Sequence, residues 1–175
     1  MYSVKRLMLG SAVVGLLCMG LNVHAKDIAS SDKRFLKNAA EAGNYEIAGS
    51  QLALKKSKDA EILKFAKMMT EDHTQAAAKV KDLAAKRGVE LPKEPSLIQQ
   101  AKLKYLETRE GTKFDKSYAS GVGVAAHEQT IKLFEDAAED AMDPEIKKFA
   151  SDSLPVLKKH LEEAKRIDMR VNKDD

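Results

Sequence analysis

The sequence predicts an all-α fold: a four-helix bundle made of two helical hairpins, with a shorter connecting helix. Apolar residues recur at three- and four-residue spacing over four long stretches, which is the period of one helix face. Aromatic residues make up only 5% of the chain, and Ala, Lys, Glu and Leu are abundant. This composition argues against a β-sandwich or a parallel-sheet nucleotide fold. The length of 175 residues suggests one folded domain.

The first 25 residues have the pattern of a signal peptide. Lys5 and Arg6 precede an apolar run from Leu7 to Leu21, and Val23-His24-Ala25 resembles a cleavage site. We expect cleavage after Ala25 and export to the periplasm, which leaves residues 26–175 as the mature domain. The alternative is an uncleaved anchor, but the run is shorter than the roughly 20 apolar residues that span a bilayer.

Removal of the leader changes the composition of the mature chain. The formal charge of +3 falls to +1 without Lys5 and Arg6, so no basic footprint for nucleic acid remains. The single cysteine, Cys18, is lost too, which excludes disulfides, thiol nucleophiles and zinc-thiolate sites. We expect no transmembrane anchor after cleavage. The sequence is compatible with a homo-oligomer and does not identify another partner.

The first two long helices form the first predicted hairpin. The first extends from Asp32 to about Lys55, with Phe35 and Tyr45 on its apolar stripe. Asp59 can cap the second helix, which continues to Gly88. The stripe of the second helix contains Ile62, Phe65, Ala66, Met69, His73, Ala76, Val80 and Leu83.

The second half of the chain predicts one short helix and two long ones. Residues 96–108 form the shorter candidate, and Glu110-Gly111-Thr112 ends it and caps the third long helix, which extends through Ala141. Asp143-Pro144-Glu145 then combines a capping carboxylate, a proline at the first helical position and an acid in the first turn. The fourth helix therefore begins there, and its stripe continues to Ile167.

An eight-residue pattern occurs twice. Residues 59–66 and 143–150 share D-x-E-I-x-K-F-A, each directly after a long helix. The match indicates two copies of one hairpin, although chance agreement in a helical sequence is the alternative. The segment between Gly88 and Gly111 is long enough for a crossover along the bundle side. An up-down-up-down bundle remains open if the short helix packs across one end.

Several short motifs carry a family resemblance over Asp32 to Ile167. They are Met69-Thr70-Glu71-Asp72-His73-Thr74, Phe114-Asp115 with Tyr118, His127-Glu128, and Leu154-Pro155 followed by His160. In order and spacing they resemble the exported family catalogued as domain of unknown function 4142. The resemblance implies a ferritin-like four-helix bundle and an outer-membrane or secreted location. It implies no activity.

Four polar residues on the helix faces form the candidate site. The mature chain has three histidines, His73, His127 and His160, each near the middle of a different long helix. Glu46 lies near the middle of the remaining one. Because antiparallel and crossover bundles both bring helix midpoints to similar height, we expect these four side chains to converge inside the bundle.

Three interpretations of the four residues stay open. An unpaired polar group in an apolar core costs roughly 1 to 3 kcal/mol, so buried imidazoles need partners. The preferred interpretation is a hydrogen-bonded network with Glu46, Tyr45 and Tyr118 as candidates and Glu163 as a local option for His160. The second is a transition-metal site, since imidazole and carboxylate suit Zn, Fe, Cu or Ni. The third is that the histidines never meet.

A ferritin-type di-iron site is disfavoured. Such sites need Glu-x-x-His motifs, and the residues three positions before the histidines are Thr70, Val124 and Leu157.

We therefore expect a non-enzymatic, envelope or stress-associated binding protein. The association with stress follows from the fold and the family resemblance alone. The alternative is a mononuclear metal-binding protein or oxidoreductase that uses Glu46, His73, His127 and His160. No catalytic residue is recognisable, because no nucleophile has an adjacent base.

Overall fold

The computed structural model describes residues 28–173, and its regular secondary structure is entirely helical. The helices are α1 (Ser30–Lys56), α2 (Ala60–Lys86), α3 (Leu97–Glu107), α4 (Gly111–Tyr118), a π-helical segment (Ala119–Ala125), α5 (Ala126–Asp140) and α6 (Pro144–Val171). The elements α4, the π segment and α5 are contiguous and form the third long rod. The predicted all-α bundle is confirmed.

The predicted signal peptide, residues 1–25, lies outside the described residues. Across residues 28–173, no helix combines the length and the apolar character needed to cross a bilayer.

The helices α2 and α6 begin where their capping residues predict, whereas the predicted cap before α4 makes no side-chain hydrogen bond to the helix. The carboxylate of Asp59 accepts hydrogen bonds from the amides of Glu61 and Ile62 in the first turn of α2, both at 3.0 Å. Asp143 does the same for α6, at 3.0 and 3.1 Å. Ser96 and Gln99 form a reciprocal capping box at the start of α3. Beyond α2, Gly88 has a φ of 62°, a left-handed conformation that favours glycine.

The bundle has a crossover connection. At the end of α1, Lys56 lies 2.6 Å from Glu110, which immediately precedes α4. At the other end of the bundle, Arg87 after α2 donates to Asp143, which immediately precedes α6, at 2.8 Å. The chain therefore leaves α2 at one end and enters α4 at the opposite end. Residues 88–110 run along the bundle side, and the up-down-up-down alternative is wrong.

The repeated pattern has the same structural role in both copies. Arg170, in the last turn of α6, binds the cap residue Asp59 at 2.7 and 2.9 Å. Arg87, after the last turn of α2, binds the cap residue Asp143. Each helix thus begins against an arginine from the end of the other. The apolar repeat positions are buried in both copies: Ile62, Phe65, Ala66, Ile146, Phe149 and Ala150.

The apolar core consists of two clusters. One contains Phe35, Phe134 and Phe149, with ring centroids 5.1 to 6.5 Å apart. The other contains Phe65 and Tyr118, whose centroids are 6.2 Å apart. On three rods a buried histidine lies between the residues of the two clusters: His73, His127 and His160. On α1, the buried Glu46 directly follows Tyr45 of the second cluster.

The glycines of α1 differ in their surroundings. A Cβ atom built on Gly49 would lie 2.7 Å from Cγ2 of Val122, so the π segment packs against the bare backbone of α1. A Cβ atom on Gly43 would meet nothing within 4 Å.

We predict opposite effects for alanine at these two glycines. Gly43→Ala should raise the free energy of unfolding by about 0.5 to 1 kcal/mol, because alanine reduces the freedom of the unfolded chain. Gly49→Ala should lower it by about 1 to 3 kcal/mol, because the added methyl overpacks the contact with Val122. Urea unfolding of both variants measures this. Equal effects would contradict the close contact.

The paired caps also predict a dependence of stability on pH. Hydrogen bonds from Arg170 and Arg87 lower the pKa of Asp59 and of Asp143, respectively, below the usual value of 3.8. A carboxylate whose pKa is depressed by folding stabilises the protein above its unfolded pKa, and this contribution is lost as the pH falls through the folded pKa. Arg87→Met should therefore lower Tm at pH 7, and its Tm should approach that of the parent as the pH falls below 3.8.

Thermal unfolding between pH 7 and pH 2.5 tests this, with Arg34→Met at an exposed position of α1 as the control. A constant difference in Tm across this range would rule out the carboxylate contribution.

Candidate metal centre

Three buried imidazoles meet at the middle of the bundle. His73 of α2, His127 of α5 and His160 of α6 are only 5%, 0% and 1% exposed. Their ring centroids are 5.4, 5.3 and 5.5 Å apart, which is close to an equilateral triangle. One nitrogen from each ring lies within 4.8 Å of the other two. The structure therefore brings the three sequence-predicted histidines together.

One nitrogen of each ring faces an oxygen atom. His160 Nε2 lies 2.9 Å from Oδ2 of Asp72. His127 Nδ1 lies 3.3 Å from the carbonyl oxygen of Val122. His73 Nδ1 lies 3.1 Å from Oε2 of Glu46, without the alignment of a hydrogen bond.

The other nitrogen of each ring is buried and has no hydrogen-bond partner within residues 28–173. These atoms are His73 Nε2, His127 Nε2 and His160 Nδ1. Buried polar atoms nearly always have a partner, so three such atoms on neighbouring rings require an explanation.

The π segment orients His127. The amide of Ala126 donates to the carbonyl of Gly121, five residues earlier. In an α-helix the acceptor would be the carbonyl four residues earlier. In this region the Val122 carbonyl lies beside His127, and its acceptor oxygen selects the tautomer with hydrogen on Nδ1. The Nε2 atom of His127 is then left with its lone pair.

Glu46 lies beside the triad and outside the 4.8 Å cluster. Its Oε1 atom accepts a hydrogen bond from Thr130 at 3.0 Å and lies 3.8 Å from Nδ1 of His127. The side chain is 1% exposed. The structure thus places Glu46 against the nitrogens of His73 and His127 that are not orphaned.

Burial shifts the pKa values of these groups toward their neutral forms. It lowers the pKa of His73 well below 6.5, and the neighbouring imidazoles add to this effect. It lowers the pKa of His127 to about 4, and that of His160 falls too, although Asp72 opposes the change. Burial also raises the pKa of Glu46 to about 8, against the hydrogen bond from Thr130. The imidazoles are thus neutral at pH 7, the form that binds metals.

Two of the predicted hydrogen-bond partners are engaged elsewhere. The Tyr118 hydroxyl pairs with Ser50 at 2.9 Å. Glu163 accepts from Arg166 on the same helix, at 2.7 and 3.0 Å. Sequence reasoning missed Asp72 and Thr130, which instead contact His160 and Glu46. Thr130 had a detectable signal, because it follows His127 by three residues and shares its helix face.

A cleft of about 690 Å³ reaches the triad between α2 and α6. His73 and His160 line it, whereas His127 lies behind them. The apolar part of the lining comes from all four rods: Ala39, Gly43, Ala76, Ala77, Ala78, Val80, Leu83, Phe134, Phe149, Val156 and Leu157. A second, smaller pocket has a volume of about 310 Å³. Glu46 and Thr130 line both this pocket and the cleft.

Comparison with known proteins bears on the family alone. The chain matches no curated protein and no solved structure. The family model described as "Domain of unknown function (DUF4142)" matches residues 22–167, which confirms the resemblance carried by the sequence motifs. The chain therefore belongs to the DUF4142 family.

Proposed function

We propose that this protein binds one transition-metal ion through Nε2 of His73, Nε2 of His127 and Nδ1 of His160. The observation that carries the proposal is the set of three buried, unpartnered nitrogens, one from each ring. The rings come from three separate rods and are close enough for one nitrogen of each to face the others. A single ion would supply the missing partner of all three.

A purely structural network explains the site less well. Such a network exists to satisfy buried polar atoms, and each unsatisfied one costs about 1 to 3 kcal/mol. Here every imidazole keeps one nitrogen unsatisfied. The metal interpretation, second in the sequence analysis, therefore becomes the preferred one.

The surroundings of the rings match those of metal-bound histidines. Such histidines usually donate their second N–H to a carboxylate or a backbone carbonyl, which fixes the ring and raises its basicity. Asp72 and the Val122 carbonyl occupy these positions for His160 and His127. We assign the same role to Glu46 at His73, so that Glu46 orients a ligand and does not itself bind the metal.

The donor set narrows the choice of metal. Imidazole suits Zn, Cu, Fe or Ni, and three ligands leave at least one coordination position open. Metal–nitrogen bonds of about 2.1 Å separate tetrahedral ligand atoms by about 3.4 Å. One nitrogen of each ring lies within 4.8 Å of the others, so at most a small inward movement of the rings reaches this spacing. A di-iron centre remains disfavoured, because its bridging acids are missing from the cluster.

Periplasmic location is part of the proposal, supported by the leader pattern around Lys5, Arg6 and Ala25. The ferritin-like connectivity is supported by the crossover at residues 88–110. The stress-associated role is retained as a hypothesis from family resemblance. We assign metal binding without a reaction.

Metal binding and unfolding together test the proposal. The mature chain, without a histidine tag and freed of metal, should bind one Zn²⁺ or Co²⁺ per molecule. At a free metal concentration of 100 Kd its free energy of unfolding should rise by about 2.7 kcal/mol. His127→Leu should abolish both effects. In the absence of metal, this variant should unfold within about 1 kcal/mol of the parent, because it removes an orphaned polar atom together with one hydrogen bond.

Leu157→Ala is the matched control, because it destabilises the same region without removing a ligand. It should keep stoichiometric metal. A parent protein without stoichiometric metal, or metal retained by His127→Leu, would overturn the proposal. Strong destabilisation of metal-free His127→Leu would favour the structural network.

The assignment of Asp72 predicts a smaller effect on affinity. Asp72→Asn should weaken metal binding by about 10- to 100-fold without changing its stoichiometry, because the carboxylate orients His160 and raises its basicity. Asp82→Asn makes the same change of charge on the same helix, at a residue that pairs with Lys86. Competition with a chelator measures both affinities. An equal loss in the two variants would indicate a general charge effect.

A further inference from the structure

We propose that the cleft binds a small neutral molecule that has an apolar body and one lone-pair donor atom, with that atom bound to the metal. This inference rests on the proposed metal site. It adds the chemical class of the exogenous ligand.

The cleft has the size and the lining of a small-molecule site. Its volume of about 690 Å³ falls inside the usual range of roughly 300 to 1,000 Å³. Its apolar walls include side chains that are themselves buried, such as Val80 and Phe134. An apolar body of about one or two rings would displace water from these walls, and the burial of its apolar surface would favour binding.

The position of the triad sets where the donor atom must lie. His73 and His160 face the cleft, and His127 does not. A ligand in the cleft would therefore reach an ion on the three rings from the side opposite His127. Two neighbouring polar side chains of the lining are already engaged, Thr130 with Glu46 and Asp72 with His160. A ligand thus gains by presenting one donor atom to the metal and apolar surface to the rest.

The charges of the cleft disfavour anions. Outside the buried Glu46, its lining has four carboxylates and two lysines: Asp72, Asp82, Glu145, Asp152, Lys79 and Lys148. Lys148 is paired with Asp152 at 2.9 Å. A carboxylate or phosphate ligand would meet more negative than positive groups of the lining on its way in, which offsets part of its attraction to the metal. A cation would be repelled by the metal itself. A neutral ligand avoids both effects.

Small residues on α2 give the cleft its width. Ala76 and Ala77 follow His73 by one turn, are half-buried and line the cleft. A large side chain at Ala77 would occupy the space that we assign to the apolar body.

The experiment uses the mature, Co²⁺-loaded protein, whose visible absorption reports ligands on the metal. The probes are imidazole, 4-phenylimidazole and benzoate. We expect 4-phenylimidazole to bind at least about tenfold more tightly than imidazole, because its phenyl ring is buried in the cleft. Benzoate should bind more weakly than 4-phenylimidazole.

Two variants locate this preference in the cleft. Ala77→Phe should keep the Co²⁺ spectrum and the binding of imidazole, and the advantage of the phenyl group should fall below threefold. Ala85→Phe, at an exposed position of α2 outside the cleft, should preserve the tenfold advantage. If Ala77→Phe does not fold, Ala76→Leu serves in its place.

The outcomes separate the two proposals. If the parent protein gives no Co²⁺ spectrum of a bound ion, the metal site fails and this inference fails with it. If the spectrum is present but imidazole binds as tightly as 4-phenylimidazole, or benzoate binds best, the metal site stands and the inference about the cleft is overturned. A phenyl advantage that persists in Ala77→Phe also overturns it.

Discussion

The structure depends on the burial of three imidazoles at one level of a helical bundle. Each rod has apolar residues toward both ends of the bundle and a polar residue between them. A slip of one helix by a single turn, about 5.4 Å, would move its histidine into an apolar cluster and leave both ring nitrogens without partners. The register of the helices and the geometry of the triad therefore depend on each other, because neither can change alone.

That constraint is met by holding α2 and α6 at their ends. Arg170 binds the cap of α2, and Arg87 binds the cap of α6. Between these two clamps, residues of both helices line the cleft beside His73 and His160. The clamps thus hold both helices at their ends, on either side of the level at which the two imidazoles lie.

The sequence could predict the site residues that lie on the apolar stripes of the helices, because these recur with the helical period. The histidines interrupt apolar stripes near helix midpoints, so their convergence followed from the bundle alone. Asp72 could not be found this way, because it lies beside the stripe and its side chain is 40% exposed, as expected of a solvated residue. Glu163 was a false candidate, since the guanidinium of Arg166, also three residues away, competes for it with a full charge. The π segment depends on tertiary packing, in which Gly49 lets Val122 approach α1.

The close approach of α6 to the π segment fits the proposed use of Nδ1 of His160 as a metal ligand. Asp72 occupies Nε2 of His160 and leaves Nδ1, which is bonded directly to the ring carbon that joins the side chain. A ligand atom nearer the backbone requires its helix to lie nearer the metal than one that uses Nε2. One turn beyond His160, a Cβ atom built on Gly123 would lie 3.1 Å from that of Ala164, so these backbones approach with little room to spare. The absence of a side chain at Gly123 thus permits the closer helix position that the proposed coordination through Nδ1 of His160 would require.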